Sequence, residues 1–137
     1  MFICKHEVQY YETDRMGITH HSNYVRWMEE ARTFFLREIG WPYEKIEEEG
    51  IISSVTSISC DYKATSTFAD VISIEINVKR VKSAKLTFVY NMVNQNGILV
   101  CTAVSEHSFL SKDGGFVNLK RDYSSFFNLL KEHSVMQ

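Results

Sequence analysis

Long apolar runs, a basic surplus, paired cysteines and linker-like stretches are all missing from this sequence of 137 residues, and each absence removes a class of protein. No apolar run approaches the ~20 residues of a membrane-spanning helix. The opening MFICKHEVQYY lacks the charged-then-apolar order of a signal peptide, so the chain reads as cytoplasmic with no membrane span. A net charge of −2 supplies no positive field for charge-driven nucleic-acid binding. The three cysteines, Cys4, Cys60 and Cys101, lie too far apart for a CxxC metal site or a disulfide framework and read as reduced thiols. One proline and six glycines leave no low-complexity segment, linker or repeat, so residues 1–137 form a single domain. What is present, 45% apolar and 13% aromatic residues, is enough to pack a core.

The stretch from Val8 to Gly40 organises the rest. Its second half carries the helical period: Tyr24, Met28, Ala31, Phe35 and Ile39 share one face, widened by Val25, Trp27, Phe34 and Leu36. Arg26, Glu29, Glu30, Thr33 and Arg37 occupy the opposite face. Ser22 or Asn23 is expected to cap the first turn, while Gly40 and Pro42 end a helix of about four to five turns. Ahead of the cap lies a loop with Asp14, Gly17, His20 and His21. It delivers a carboxylate and two imidazoles to the positive end of the helix, where unpaired amides favour a developing oxyanion.

Around this segment the chain alternates with a period of two. Phe2–Tyr10 reads as a first strand with Ile3 and Val8 as apolar members, and Pro42–Glu49 as a short helix. Ile51–Lys63 is a Ser/Thr-rich strand; Val71–Val81 alternates strictly, with Ile72, Ile74, Ile76 and Val78 on one side. Ala84–Asn94 and Ile98–Ser111 are joined at Asn96-Gly97, where a type I′ turn would put both residues at positive φ. Asp113-Gly114-Gly115 turns into a short strand at Phe116 and Val117, and a last helix is expected over about Asp122–His133. Without βαβ alternation the expectation is an α+β fold, a long helix wrapped by an antiparallel sheet.

The residues Tyr11-Glu12-Thr13-Asp14-x-x-Gly17-Ile18-x-x-His21-x-Asn23-Tyr24-x-x-Trp27-x-Glu29-x-Ala31-Arg32 resemble the 4-hydroxybenzoyl-CoA thioesterase-like branch of the hot dog fold superfamily, especially its bacterial acyl-CoA thioesterases of the Tol-Pal-cluster type. The resemblance covers nearly the whole chain. It implies one hot dog domain, with five to six strands around the helix, assembled as a homodimer or homotetramer with sites at subunit interfaces. It implies hydrolysis of acyl-CoA, with Asp14 as nucleophile or general base, His21 lining the site and the backbone N–H at that position polarising the thioester carbonyl. A tyrosine upstream is also implicated, and both Tyr10 and Tyr11 fit the spacing. Gly17 belongs to the motif as a substrate-contacting position. No cofactor and no metal is called for: adjacent histidines point apart, and no third ligand with zinc-like spacing is evident.

Other readings compete. Asp14 alone would suit a turn or an Asx cap. Glu29 and Glu30 rank below it, because the helical wheel puts them at the edge of the apolar stripe or off it, although another hot dog branch carries its catalytic Glu on this helix. Lys79, Arg80, Lys82 and Lys85 form a basic patch for which the phosphates of coenzyme A are the candidate ligand, Arg80 and Lys82 foremost, or which is simply solvated. Beside the acyl-CoA thioesterase stand hydrolysis of acyl groups on acyl carrier protein and a non-catalytic acyl-CoA-binding hot dog protein. The stretch Lys63-Ala64-Thr65-Ser66-Thr67 lacks a proline often found before the Asp70 position, which leaves substrate choice open.

Overall fold

The computed structural model describes residues 1–135. Five strands, β1 (Phe2–Glu7), β2 (Ile51–Tyr62), β3 (Val71–Val81), β4 (Lys85–Val93) and β5 (Leu99–Ser111), form one antiparallel sheet in the order β1-β3-β4-β5-β2. Helix α1 (Ser22–Glu38) lies on the sheet, followed by α2 (Tyr43–Glu48); α3 (Leu119–Asp122) and α4 (Ser124–Glu132) close the chain. This is the α+β arrangement expected, with five strands. Among the described residues no helix is long and apolar enough to cross a membrane.

The strict alternation of β3 is realised: Ile72, Ile74, Ile76 and Val78 are fully buried beneath α1, and the residues between them are partly exposed. Trp27, Met28, Ala31 and Phe35 of α1 meet them. Val25, placed on this stripe by the wheel, is 36% exposed, and the inward position is taken instead by Arg32. Burying about four large side chains of this kind contributes roughly 1.5–3 kcal/mol each, which ties the helix to the sheet. In β1 the half-buried members are Phe2, Cys4 and His6, so Ile3 faces outward.

Three local expectations fail for local reasons. The cap of α1 is His21, with no side-chain cap hydrogen bond; the Ser22 hydroxyl turns to His20 Nδ1 at 2.8 Å and Asn23 to backbone carbonyls. At Asn96-Gly97 only Gly97 has positive φ, +77°. The Asn94 side chain accepts from the amides of Asn96 and Ile98, so a longer side-chain-braced loop replaces the type I′ turn. Phe116 and Val117 form no strand: Phe116 makes one isolated bridge to Leu110. The final helix starts at Ser124, after the short α3 whose first turn is capped by the Asn118 side chain.

Candidate functional site

The Asp14 loop is held from below by Glu12, a residue with no role in the sequence reading. Glu12 is 4% exposed, in a 3-10 turn over Tyr10–Glu12. One carboxylate oxygen accepts from the Gln9 amide at 2.8 Å and meets His6 Nε2 at 2.7 Å; the other accepts from the Trp27 indole at 2.8 Å. His6 Nδ1 in turn contacts Glu30 at 2.9 Å. Burial raises the Glu12 pKa, but the Gln9, His6 and Trp27 donors outweigh it and hold the carboxyl below its ordinary range. Two further bonds fix the loop against α1: Asn23 Nδ2 donates to the Glu12 carbonyl at 2.9 Å, as does the His20 amide at 2.8 Å. The long helix and the loop before it are therefore one rigid unit.

Above this anchor the chain folds back on itself. The Asp14 amide donates to the Ile18 carbonyl at 2.8 Å, the Gly17 amide to the Asp14 carbonyl at 3.0 Å, and Thr13 bridges Thr19. The reversal needs Gly17 at φ +80°, a left-handed conformation costly for other residues. Asp14 is half-buried. Its Oδ1 accepts from the Met16 amide at 2.8 Å, while Oδ2 has no protein donor among the described residues. The turn residue and the candidate catalyst are thus the same side chain: one oxygen orients it, and the other carries no protein donor among the described residues.

A cleft of about 260 Å³ brings Asp14 together with His21, Tyr24 and Tyr62. The Tyr62 hydroxyl donates to the His21 carbonyl at 3.3 Å. Desolvation and the neighbouring thiols push the Tyr62 phenol up to about 12, so it remains a neutral donor. The Tyr24 hydroxyl and the Thr19 hydroxyl converge on the Ser66 hydroxyl at 2.9 and 2.6 Å, joining helix, loop and the β2–β3 connection. The Ser22, Asn23 and Tyr24 amides are taken up by His20 Nδ1, the His20 carbonyl and the His21 carbonyl respectively. The His21 amide engages no acceptor among the described residues. It stands as an open donor at the positive end of a helix of 17 residues.

On the other side of Asp14 a wider groove of about 670 Å³ is lined by Tyr10, Tyr11, Thr13, Arg15 and Gly17. Tyr10 and Tyr11 are both largely exposed, and Tyr10 packs edge-on against Phe68. The structure thus gathers Asp14, Gly17, His21, Tyr10 and Tyr11 around one loop. Arg80 and Lys82 are not brought there within one chain. With Lys85, Thr87 and Glu106 they surround a separate cleft of about 120 Å³ at the far end of β3. The Asp14 loop joins the near end, through the bond from the Val8 amide to Asp70 and from Thr19 to Ser66, so the length of β3, about 30 Å, separates the two. Glu29 and Glu30 are exposed, outside the Asp14 cleft.

Tyr62 and Glu12 are the residues that sequence reasoning missed. Tyr62 falls within the Ser/Thr-rich strand Ile51–Lys63, yet nothing local says that its hydroxyl reaches a helix cap. Glu12 lay inside the quoted motif, and the signal available was an acidic residue three positions after Gln9, the spacing of a capping box.

With this geometry in hand, comparison with known proteins is specific. The model of the Thioesterase-like superfamily matches residues 8–126. A protein of Aquifex aeolicus (strain VF5), provisionally named an esterase, is 37% identical over 121 residues, covering 88% of this chain and 93% of its own. Acyl-CoA thioesterase YbgC of Haemophilus influenzae is 30% identical over 82 residues, 59% of this chain and 60% of its own. The solved structure of a DHNA-CoA thioesterase from Staphylococcus aureus superposes with a TM-score of 0.90 at 27% identity, covering 95% of this chain and 88% of that one. The matched span includes the Asp14 loop, α1 and all of β2 to β5. The chain belongs to the Thioesterase-like superfamily, in its hot dog fold.

Proposed function

We propose that this protein is an acyl-CoA thioesterase with Asp14 as its reactive carboxylate. The observation that carries the reading is that one cleft is lined both by Asp14, with an oxygen lacking a protein donor, and by His21, whose amide at the start of α1 has no acceptor among the described residues. A carboxylate in that position deprotonates water for attack on the thioester carbonyl carbon, or attacks it directly to give a mixed anhydride that water then opens. In either route the C–S bond breaks, the electron pair leaves on coenzyme A as thiolate, and the products are a carboxylic acid and free coenzyme A. The negative charge on the carbonyl oxygen meets the His21 amide and the helix dipole, where one such donor contributes a factor of about 10²–10³ in rate. Tyr62 donates to the His21 carbonyl, on the peptide that follows this donor, and so braces the first turn of α1 beside it. The exposed Tyr10 and Tyr11 flank Asp14 where substrate enters.

Arg80 and Lys82 fit the same reading if the enzyme is a homodimer or homotetramer. Strand β2 is at the edge of the sheet, runs for 12 residues, and exposes Ile52, Val55, Ile58 and Tyr62. An edge of that length and apolarity invites a second copy. Two-fold pairing of β2 with itself reverses strand direction, so the Tyr62 end of one copy meets the Ile51 end of the other. Lys85 pairs with Ser108, which pairs with Ser54, so the basic cluster sits at the Ile51 end. Such a dimer sets one copy's Arg80 and Lys82 at the level of the other's Asp14, where coenzyme A phosphates would lie. The setting is cytoplasmic, where acyl-CoA is made and used.

The test is thiol release from a panel of short, long and aromatic acyl-CoAs by wild type and Asp14→Asn. Hydrolysis reduced about 10²–10⁴-fold in the variant, with unchanged circular dichroism, is the expected result. Equal rates would remove Asp14 from the mechanism; no hydrolysis by either would favour carrier-protein substrates or a binding protein. In a single turnover in ¹⁸O-water, label in the Asp14 carboxylate would establish direct attack with water opening the anhydride at the Asp14 carbonyl; general-base catalysis and opening at the acyl carbon both leave Asp14 unlabelled.

A further inference from the structure

A second cleft, of about 490 Å³, opens between α1, α2 and the β2–β5 side of the sheet. Its walls are apolar, Ile46 and Ile51 together with Ile52 and Val55, two residues of the β2 edge that the proposed dimer would place beside a second copy. At its base lies Arg32, only 5% exposed. A buried guanidinium is stable when its charge is balanced and its N–H groups are all used. Here neither holds. Arg32 Nη1 donates to the Tyr90 hydroxyl at 3.1 Å, and Tyr43 is a further hydroxyl neighbour, but Nε is buried without any acceptor among the described residues. No carboxylate lies within ion-pair distance of it among those residues.

The surroundings leave the charge uncompensated. The Tyr90 hydroxyl bonds to Ser105 at 2.6 Å, and Ser105 to His107 Nε2 at 2.8 Å, a chain of groups with no anion in it. Burial and the facing Arg32 hold His107 down to about 4, so it adds no charge at neutral pH. The charged groups lining the cleft besides Arg32 are Glu29 and Glu47, both exposed to solvent. They make the cleft mouth acidic and its base cationic. The mouth carboxylates are solvated and screened, so the buried cation decides what fits: a molecule with an apolar body between the isoleucines and one carboxylate at Arg32.

We propose that this cleft binds a small amphipathic monocarboxylate, with the Arg32 guanidinium as its counter-charge and hydrogen-bond donor. Guanidinium and carboxylate match in planar, two-pronged geometry, and the unpaired Nε supplies one prong. The ligand class coincides with the acids that thioester hydrolysis releases. Binding is nevertheless measured without turnover, so the failure of one reading leaves the other standing.

The test is calorimetric titration of the full-length protein with sodium hexanoate and phenylacetate, each against its amide of the same shape. The expected result is saturable binding of the acids with at least about tenfold weaker binding of the amides. Arg32→Met should abolish the preference, and Arg32→Lys should restore part of it by returning the charge without the fork. Acid and amide binding alike, or neither binding to wild type, would overturn the proposal, and this comparison holds even if the Arg32 variants fail to fold. Acid preference that survives in folded Arg32→Met would overturn it too.

Discussion

At the residue scale, Glu12 and Asp14 stand two positions apart and do opposite things. Glu12 has every oxygen committed to donors on β1, the loop and α1, whereas Asp14 keeps one oxygen uncommitted. Glu12→Gln removes the negative charge and strands at least one buried donor, so it should destabilise the fold by about 1–3 kcal/mol, read from urea melts. Because the folded state holds the Glu12 carboxyl below its ordinary value of 4.5, its contribution is complete above that pH and is lost as pH falls below it. His107 acts in a higher window. Its folded value is about 4 against an ordinary 6.5, so the unfolded chain takes up a proton first as pH drops. Stability is therefore full above 6.5 and declines between 6.5 and 4, by about 3 kcal/mol. His107→Gln should flatten that slope in melts recorded across the interval; an unchanged slope would mean that another group carries it. Gly17→Ala, at φ +80°, should cost about 1–2 kcal/mol and lower turnover through the position of Asp14 rather than through its chemistry.

At the scale of elements, α1 and the β2 edge carry the functional argument. The apolar stripe of α1 was legible from its period, because Tyr24, Met28, Ala31 and Phe35 are buried for the reason that period expresses. Arg32 was not legible as buried: on a wheel it is one more polar residue, and its environment comes from Tyr90, which is 58 positions away and on another element. The cap was misjudged for a related reason. Ser22 and Asn23 have the side chains that caps prefer, but both are drawn to the preceding loop, so neither caps the first turn. Strand positions were legible wherever one face is dry, as in β3. In β2, whose outer edge is unpaired, the pattern gives the strand but not its purpose. Thr56→Lys with Ile58→Lys should turn an oligomer into monomer in light scattering after size exclusion, since two cations on a strand edge oppose pairing with a copy of themselves. A monomeric wild type would undo the assembly proposed here and, with it, the role given to Arg80 and Lys82.

For the whole molecule, the α+β class and the order of elements followed from periodicity, and the motif spanning Tyr11 to Arg32 supplied the family. The spatial facts that matter to chemistry were out of reach of either. That Tyr62 touches a helix cap, or that the basic cluster sits a full strand length from Asp14, depends on how distant segments are registered. The sheet order β1-β3-β4-β5-β2 has one more effect, on the birth of the molecule. Strands β3, β4 and β5 are neighbours in sequence and pair as successive hairpins, but β1 waits for β3, and β2 for β5. During synthesis, then, the first two strands and the whole Asp14 loop leave the ribosome before any strand that will hold them exists. The meander should assemble first and capture its outer strands afterwards, through closures of long loops that slow the reaction. Pulse-labelled hydrogen exchange during refolding should find the β3–β5 amides protected ahead of those in β1; simultaneous protection would point to a single concerted step.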